Sequence, residues 1–219
     1  MPKISHIIFD WDGTLMDSTD KIVRCMQEAA IRSNLPTPTP LQVKQIIGIS
    51  LLPAIEMLFS IDVKEAIVVR DHYKSAFLEQ DTVACTLFEG AHETLLALSE
   101  YYTLAVATGK ARRGLTRALQ NSNSAHYFDK TRCADDDNVM SKPHPSMLNQ
   151  LLDEWGITPA QAIMVGDTTH DLKMAAAIDM PRIAVSYGAH NVNELAQYAP
   201  VAIIDKLPAL FDIVRKNFK

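Results

Sequence analysis

The chain has 219 residues, 47% of them apolar, and a formal net charge of −5. That length suits one large domain or two small ones, and the acidic balance argues against a general grip on nucleic acid, which needs a basic face. No apolar run reaches the roughly 20 residues needed to span a bilayer, and the start MPKISHII reads as a strand carrying a charge, with no cleavage site after it, so no membrane or signal segment is expected.

Residues 4–9 form an apolar run that predicts a buried strand, and it ends abruptly in Asp10, Trp11, Asp12, Gly13 and Thr14. A helix is expected from Ser18 or Thr19 to about Ser33, with Ile22, Met26, Ala29 and Ala30 as its apolar stripe. The stretch LPTPTP cannot continue a helix, and Thr39-Pro40 after it reads as an N-cap followed by proline at the first helical position. Short helices are expected over 41–47 and 50–59, and Asp62 with Glu65 marks a cap opening a helix to about Glu79. From about Asp17 to Asp81 the pattern is helical throughout.

The texture then changes. Helices are expected over 91–100, 111–120, 144–155, 170–177 and 207–216, and strands over 102–108, 130–134, 162–166, 182–186 and 201–205. Strands alternating with helices predict a parallel sheet covered on both faces. The fold class is therefore α/β and Rossmann-like, with an all-helical block inserted after strand one. The boundaries are 1–16 and 83–219 for the α/β core and 17–82 for the helical block. Cys25, Cys85 and Cys133 are odd in number and in no C-x-x-C spacing, which suits reduced thiols of a cytoplasmic protein.

Polar residues collect where strands end. Strand one runs into Asp10 and Asp12, 102–108 ends in Thr108, Gly109 and Lys110, and 162–166 leads into Asp167, Thr168, Thr169 and Asp171. Lys142 stands in SKPHP, just before a helix. Each cluster has an ordinary reading. D-x-D-G and T-G are turn chemistry, Asp167 could be a helix cap, and a lone lysine is usually solvated. Ligands of open parallel sheets bind beyond the carboxyl ends of the strands, and clusters in this order would converge there. Several carboxylates on one edge need a cation, and oxygen donors without a Cys or His cluster favour Mg²⁺. A threonine hydroxyl, glycine-rich amides and a lysine ammonium suit a phosphoryl group, and an aspartate beside both can act as nucleophile.

DWDGTLMDS, VATGK, SKPHP and VGDTTHDLKMA, in that order, resemble the four motifs of the haloacid dehalogenase superfamily, and the helical insert resembles the cap of its subfamily I. The phosphoglycolate-phosphatase-like hydrolases are nearest in pattern. The resemblance implies Asp10 as nucleophile and Asp12 as general acid and base. It implies Gly13, Thr14, Thr108, Gly109 and Lys110 around the phosphate, and Lys142 as charge balance. Mg²⁺ would be held by Asp10, the Asp12 carbonyl and Asp167, with Asp171 in its outer shell or orienting Lys142. The expected activity is hydrolysis of a small phosphorylated metabolite through an aspartyl-phosphate, by a monomer or homodimer.

An acid at position 12 favours phosphate transfer over dehalogenation, whose leaving halide needs no proton. The expected substrate-facing segment GISLLPAIE (48–56) has no lysine for phosphonatase-type chemistry. A sugar-phosphate mutase is the runner-up, although the chain has no histidine between His6 and His72. A catalytically silent binding protein is the alternative outside enzymes. Trp11, larger than the residue usual there, is expected to turn into the core. Ile178-Asp179 stands where relatives usually carry Ala-Gly. The basic run Lys110, Arg112, Arg113 and Arg117 suits either a solvated helix face or, through Lys110, an anion-attracting mouth.

Overall fold

A computed structural model describes residues 3–217. The chain opens with β1 (His6–Phe9) and a short strand β2 (Met16–Asp17), then runs through helices α1 (Thr19–Arg32), α2 (Pro40–Ile46), α3 (Leu51–Phe59) and α4 (Val63–Ser75). A π-helical turn, Ala76–Gln80, extends α4. Next come β3 (Thr86–Leu87), α5 (Ala91–Ser99), β4 (Thr103–Ala107), α6 (Arg112–Asn121), β5 (Lys130–Arg132) and α7 (Ser146–Trp155). The chain closes with β6 (Ala162–Gly166), α8 (Thr169–Ala176), β7 (Arg182–Val185), α9 (Val192–Ala196), β8 (Ala202–Ile204) and α10 (Ala209–Asn217).

Six strands form one parallel sheet in the order β5-β4-β1-β6-β7-β8. Its central strands β1, β4 and β6 are mostly apolar on both faces, as a sheet covered on both sides requires. Ile7, Phe9, Leu104, Val106, Ile163 and Val165 share one core with α5, α6 and α10. The alternating residues Ile8, Ala105, Ala107 and Met164 meet α7 and α8 on the other face. The chain runs from β1 outward to β4 and β5, then returns to β6 on the opposite side of β1. Strand order therefore reverses beside β1, where open sheets place their ligands.

The four helices α1–α4 enclose a core of their own, with Ile22, Met26, Val43, Ile55 and Val69 among its members. Local signals start them. Thr39 with Gln42 and Asp62 with Glu65 form complete capping boxes on α2 and α4. One correction concerns the start of the helical block: Asp17 belongs to β2, and β2 pairs antiparallel with β3 through Met16–Leu87 and Asp17–Thr86. This ribbon carries the chain between sheet and helices. Among the described residues no helix is long and apolar enough to cross a membrane. All three cysteines are free, and burial pushes the Cys25 thiol up to about 11.

Candidate active site

Asp10 extends the pairing of β1, because its amide donates to the Val165 carbonyl at 2.9 Å. Beyond it the chain curls tightly: the Leu15 and Met16 amides both reach the Trp11 carbonyl, and the Gly13 amide reaches that of Met16. Gly13 has φ +87°, and a β-carbon there would lie 2.2 Å from Asp167 Oδ2, so only glycine fits. Trp11 is fully buried in the core and meets Phe128 edge-on, as expected of a side chain turned away from the acids.

The end of β1, the turn from β6 into the first turn of α8, and the loop before α7 bring four charged groups together. The Lys142 ammonium donates to Asp10 Oδ1 at 2.7 Å and to Asp171 Oδ1 at 2.6 Å, with no solvent exposure of its side chain. Asp10, Asp167 and Asp171 are all buried, each offering a carboxylate oxygen within 4.8 Å of the other two. Burial raises the Asp10 carboxyl well above the usual range, Lys142 opposes this, and Asp171 and Asp167 add to it. Asp167 is pushed up to about 7, first by burial and then by Asp171. For Lys142 burial works to lower the ammonium, but Asp10 and Asp171 prevail and raise it.

Three carboxylates around one ammonium leave surplus negative charge in a dry setting. Asp10 Oδ2 is buried and makes no hydrogen bond. An orphaned carboxylate oxygen beside two further carboxylates is a hard-oxygen donor set that fits Mg²⁺.

Other expected residues fall around this cluster with different partners. The Thr14 hydroxyl, expected at a phosphate, donates to Asp167 Oδ1 at 2.8 Å. Thr108 is buried, and its hydroxyl oxygen accepts from the Lys110 amide at 3.1 Å. Gly109 is pressed on the helical unit: a β-carbon there would sit 2.4 Å from the Gly48 carbonyl oxygen. Lys110 does not point out at a mouth. Its ammonium lies 3.0 and 2.8 Å from the two Asp12 oxygens, and Ser18 donates to Asp12 Oδ1 at 2.7 Å. Arg112 turns to Asp136 and Thr131, so the basic run does not act as a group.

Three supports escaped the sequence reading. Thr168, fully buried, donates to Asp171 Oδ2 at 2.7 Å and forms a capping box with it on α8. Ser18 holds Asp12. The loop after β7 supplies the Ala189 amide to Asp167 Oδ2 at 2.7 Å. The T-x-x-D spacing of Thr168 and Asp171 was a visible signal. The loop contact carried none beyond a polar strand end.

The helical unit rests on this edge. The Ser50 amide donates to Ser141 Oγ at 2.9 Å. His190 Nδ1 accepts from the Thr169 amide, which leaves Nε2 to donate to the Lys44 carbonyl at 3.2 Å. His170 Nε2 lies 3.0 Å from the Gln45 carbonyl.

A family model of haloacid dehalogenase-like hydrolases matches residues 7–185. The probable phosphatase IndB of Dickeya dadantii is 33% identical over 91% of this chain and 88% of its own. A phosphoglycolate phosphatase of Aliivibrio fischeri is 27% identical over 96% of each. A solved haloacid dehalogenase-like family hydrolase from Streptococcus pneumoniae superposes with a TM-score of 0.82 at 26% identity, covering 95% of this chain and 97% of that one. With the motif acids gathered where the strand order reverses, these likenesses make the chain a member of the haloacid dehalogenase-like hydrolases, an enzyme of their phosphatase branch.

Proposed function

We propose that this hydrolase removes the phosphoryl group from a small phosphomonoester with the help of Mg²⁺, through an aspartyl-phosphate on Asp10. The observation that carries the reading is the buried set of Asp10, Asp167, Asp171 and Lys142, with Asp10 Oδ2 unpartnered. Asp10 is the nucleophile, and Lys142 fixes its carboxylate while balancing charge. Asp12 protonates the leaving alkoxide and then takes a proton from the hydrolytic water. Thr108 and the Gly109 amide receive phosphoryl oxygens. Asp10, the Asp12 carbonyl and Asp167 would hold Mg²⁺, which supplies electrostatic stabilisation of the charge on the transferring group.

The helical unit acts as a cap that keeps water from the reacting atoms, and its Gly48–Ser50 stretch, pressed on Gly109 and Ser141, limits the leaving group to a small one. A phosphoglycolate-like metabolite suits that limit, consistent with the relative from Aliivibrio fischeri. The test is Mg²⁺-dependent hydrolysis of an aryl phosphate, followed by a panel of phosphorylated metabolites ranked by kcat/KM. Asp10→Asn should abolish turnover, and an Asp10→Asn protein as fast as the parent sinks the nucleophile. Asp12→Asn should slow turnover by about 10²–10⁴-fold, the usual share of general acid–base catalysis.

A further inference from the structure

Asp12 has both carboxylate oxygens engaged. Ser18 donates to Oδ1 at 2.7 Å, and the Lys110 ammonium spans Oδ1 and Oδ2 at 3.0 and 2.8 Å. Lysine is a flexible point charge on a four-carbon stem, which by itself holds a partner loosely. Here the stem has a wall. The Lys110 ammonium lies 5.3 Å from the ring centroid of Phe77, a residue of the helical unit. An aromatic face attracts a cation at that distance.

Phe77 is itself fixed. It packs on Tyr73 at 5.8 Å between centroids. The Lys21 ammonium also lies 4.9 Å from the ring centroid while donating to the Asp81 and Val83 carbonyls. Phe77 belongs to the π-helical turn that extends α4, a local widening that often marks a functional position. One chain of contacts thus runs from the helical unit through Phe77 and Lys110 to Asp12.

We propose that Lys110 is a positioning residue for Asp12, held in place by Phe77, so that the acid–base group is assembled only when the helical unit is seated on the sheet. The inference rests on the phosphatase reading given above. In the first step the bond from Asp10 oxygen to phosphorus forms and the ester P–O bond breaks. The Asp12 proton passes to the departing alkoxide, leaving a carboxylate where Lys110 stands ready to balance it. In the second step the same aligned carboxylate takes a proton from water as the water oxygen bonds to phosphorus and the Asp10 oxygen leaves.

The value of a positioned acid depends on the leaving group. A p-nitrophenolate departs without a proton, whereas a p-methoxyphenolate benefits from one. The quantity kcat/KM reports the steps through the first irreversible transfer. The experiment measures kcat/KM with Mg²⁺ along a series of substituted phenyl phosphates, using the full chain and its Lys110→Met, Lys110→Arg and Phe77→Leu variants. Lys110→Met should lose about 100-fold on the p-methoxyphenyl ester and less than about 10-fold on the p-nitrophenyl ester, within the range of general acid catalysis.

Phe77→Leu should tilt the series in the same direction by a smaller factor. Lys110→Arg, which keeps a charge-assisted pair with Asp12, should restore the parent's slope. A uniform loss along the series, no loss, or an arginine variant as steep as the methionine one overturns the proposal. A parent protein inactive on every aryl phosphate sinks the phosphatase reading itself. An active parent whose slope Lys110→Met leaves unchanged sinks the positioning role alone.

Discussion

Lys142 is a charged side chain with no exposure to solvent, and its two carboxylate partners explain how it stays there. A buried ion pair is weak evidence of net stability, but removing one partner leaves an uncompensated charge in a dry place. Lys142→Ala should therefore cost about 3–5 kcal/mol at about pH 8. The loss should shrink at about pH 5, where the orphaned carboxyls can take up protons. Urea unfolding of the parent and variant at the two pH values checks this, and equal losses at both would mean that the lysine acts through packing. In sequence this residue was one lysine between a serine and a proline. Its place in the order of motifs pointed to the site, whereas its complete burial follows from side chains more than a hundred positions away, such as Asp10.

At the scale of elements, the central strands were legible because they are apolar runs bounded by turn residues, whereas β5, Lys130–Arg132, is polar and sits at the sheet edge. The expected strand over 162–166 is β6 residue for residue, and each expected helix falls within a few residues of its place, whereas the five-residue α9 was not expected. The ribbon of β2 and β3 was not legible, since two-residue strands carry no period and pair across about seventy residues. The π-helical turn was read as a continuation of α4, because a single changed hydrogen-bond register leaves the composition helical.

The end of α8 shows how a departure from the usual pattern is absorbed. Asp179 takes φ +54°, and the Met180 amide reaches back to the Ala175 carbonyl at 3.0 Å, a Schellman-type ending. The conformation that favours glycine is adopted here by aspartate, which tolerates it at some cost. Asp179→Gly should stabilise the protein by about 0.5–1 kcal/mol. Its exposed position at the far end of α8 should leave kcat unchanged. Thermal unfolding and a turnover assay test both halves. At the other end of the same helix, Thr168→Ala should cost about 1–2 kcal/mol through its lost cap. Unlike Asp179→Gly, it should also lower kcat, because it removes one of the three hydrogen bonds that the Asp171 carboxylate accepts.

For the whole molecule, the acid cluster couples stability to pH and, on the proposed function, to metal. Asp167 has an ordinary value of 3.8 and is pushed up to about 7 in the folded chain, while Asp10 is raised in the same sense. Between those two values the folded state holds more protons than the unfolded one, so stability falls as pH rises through the window. A divalent cation held by the deprotonated carboxylates, as proposed above, would stabilise the folded state by mass action, more strongly as pH rises. The melting temperature in chelator should therefore fall from about pH 5 to about pH 8, with about 2–4 °C for each kcal/mol lost in a chain of this size. Excess Mg²⁺ should cancel most of that fall and have little effect at the acidic end. Asp167→Asn removes one of the crowded charges, so it should melt higher than the parent in chelator at about pH 8 and respond weakly to Mg²⁺. A parent protein that gains the same number of degrees from Mg²⁺ at both pH values would place the ion away from these carboxylates and leave Lys142 as their sole counter-charge.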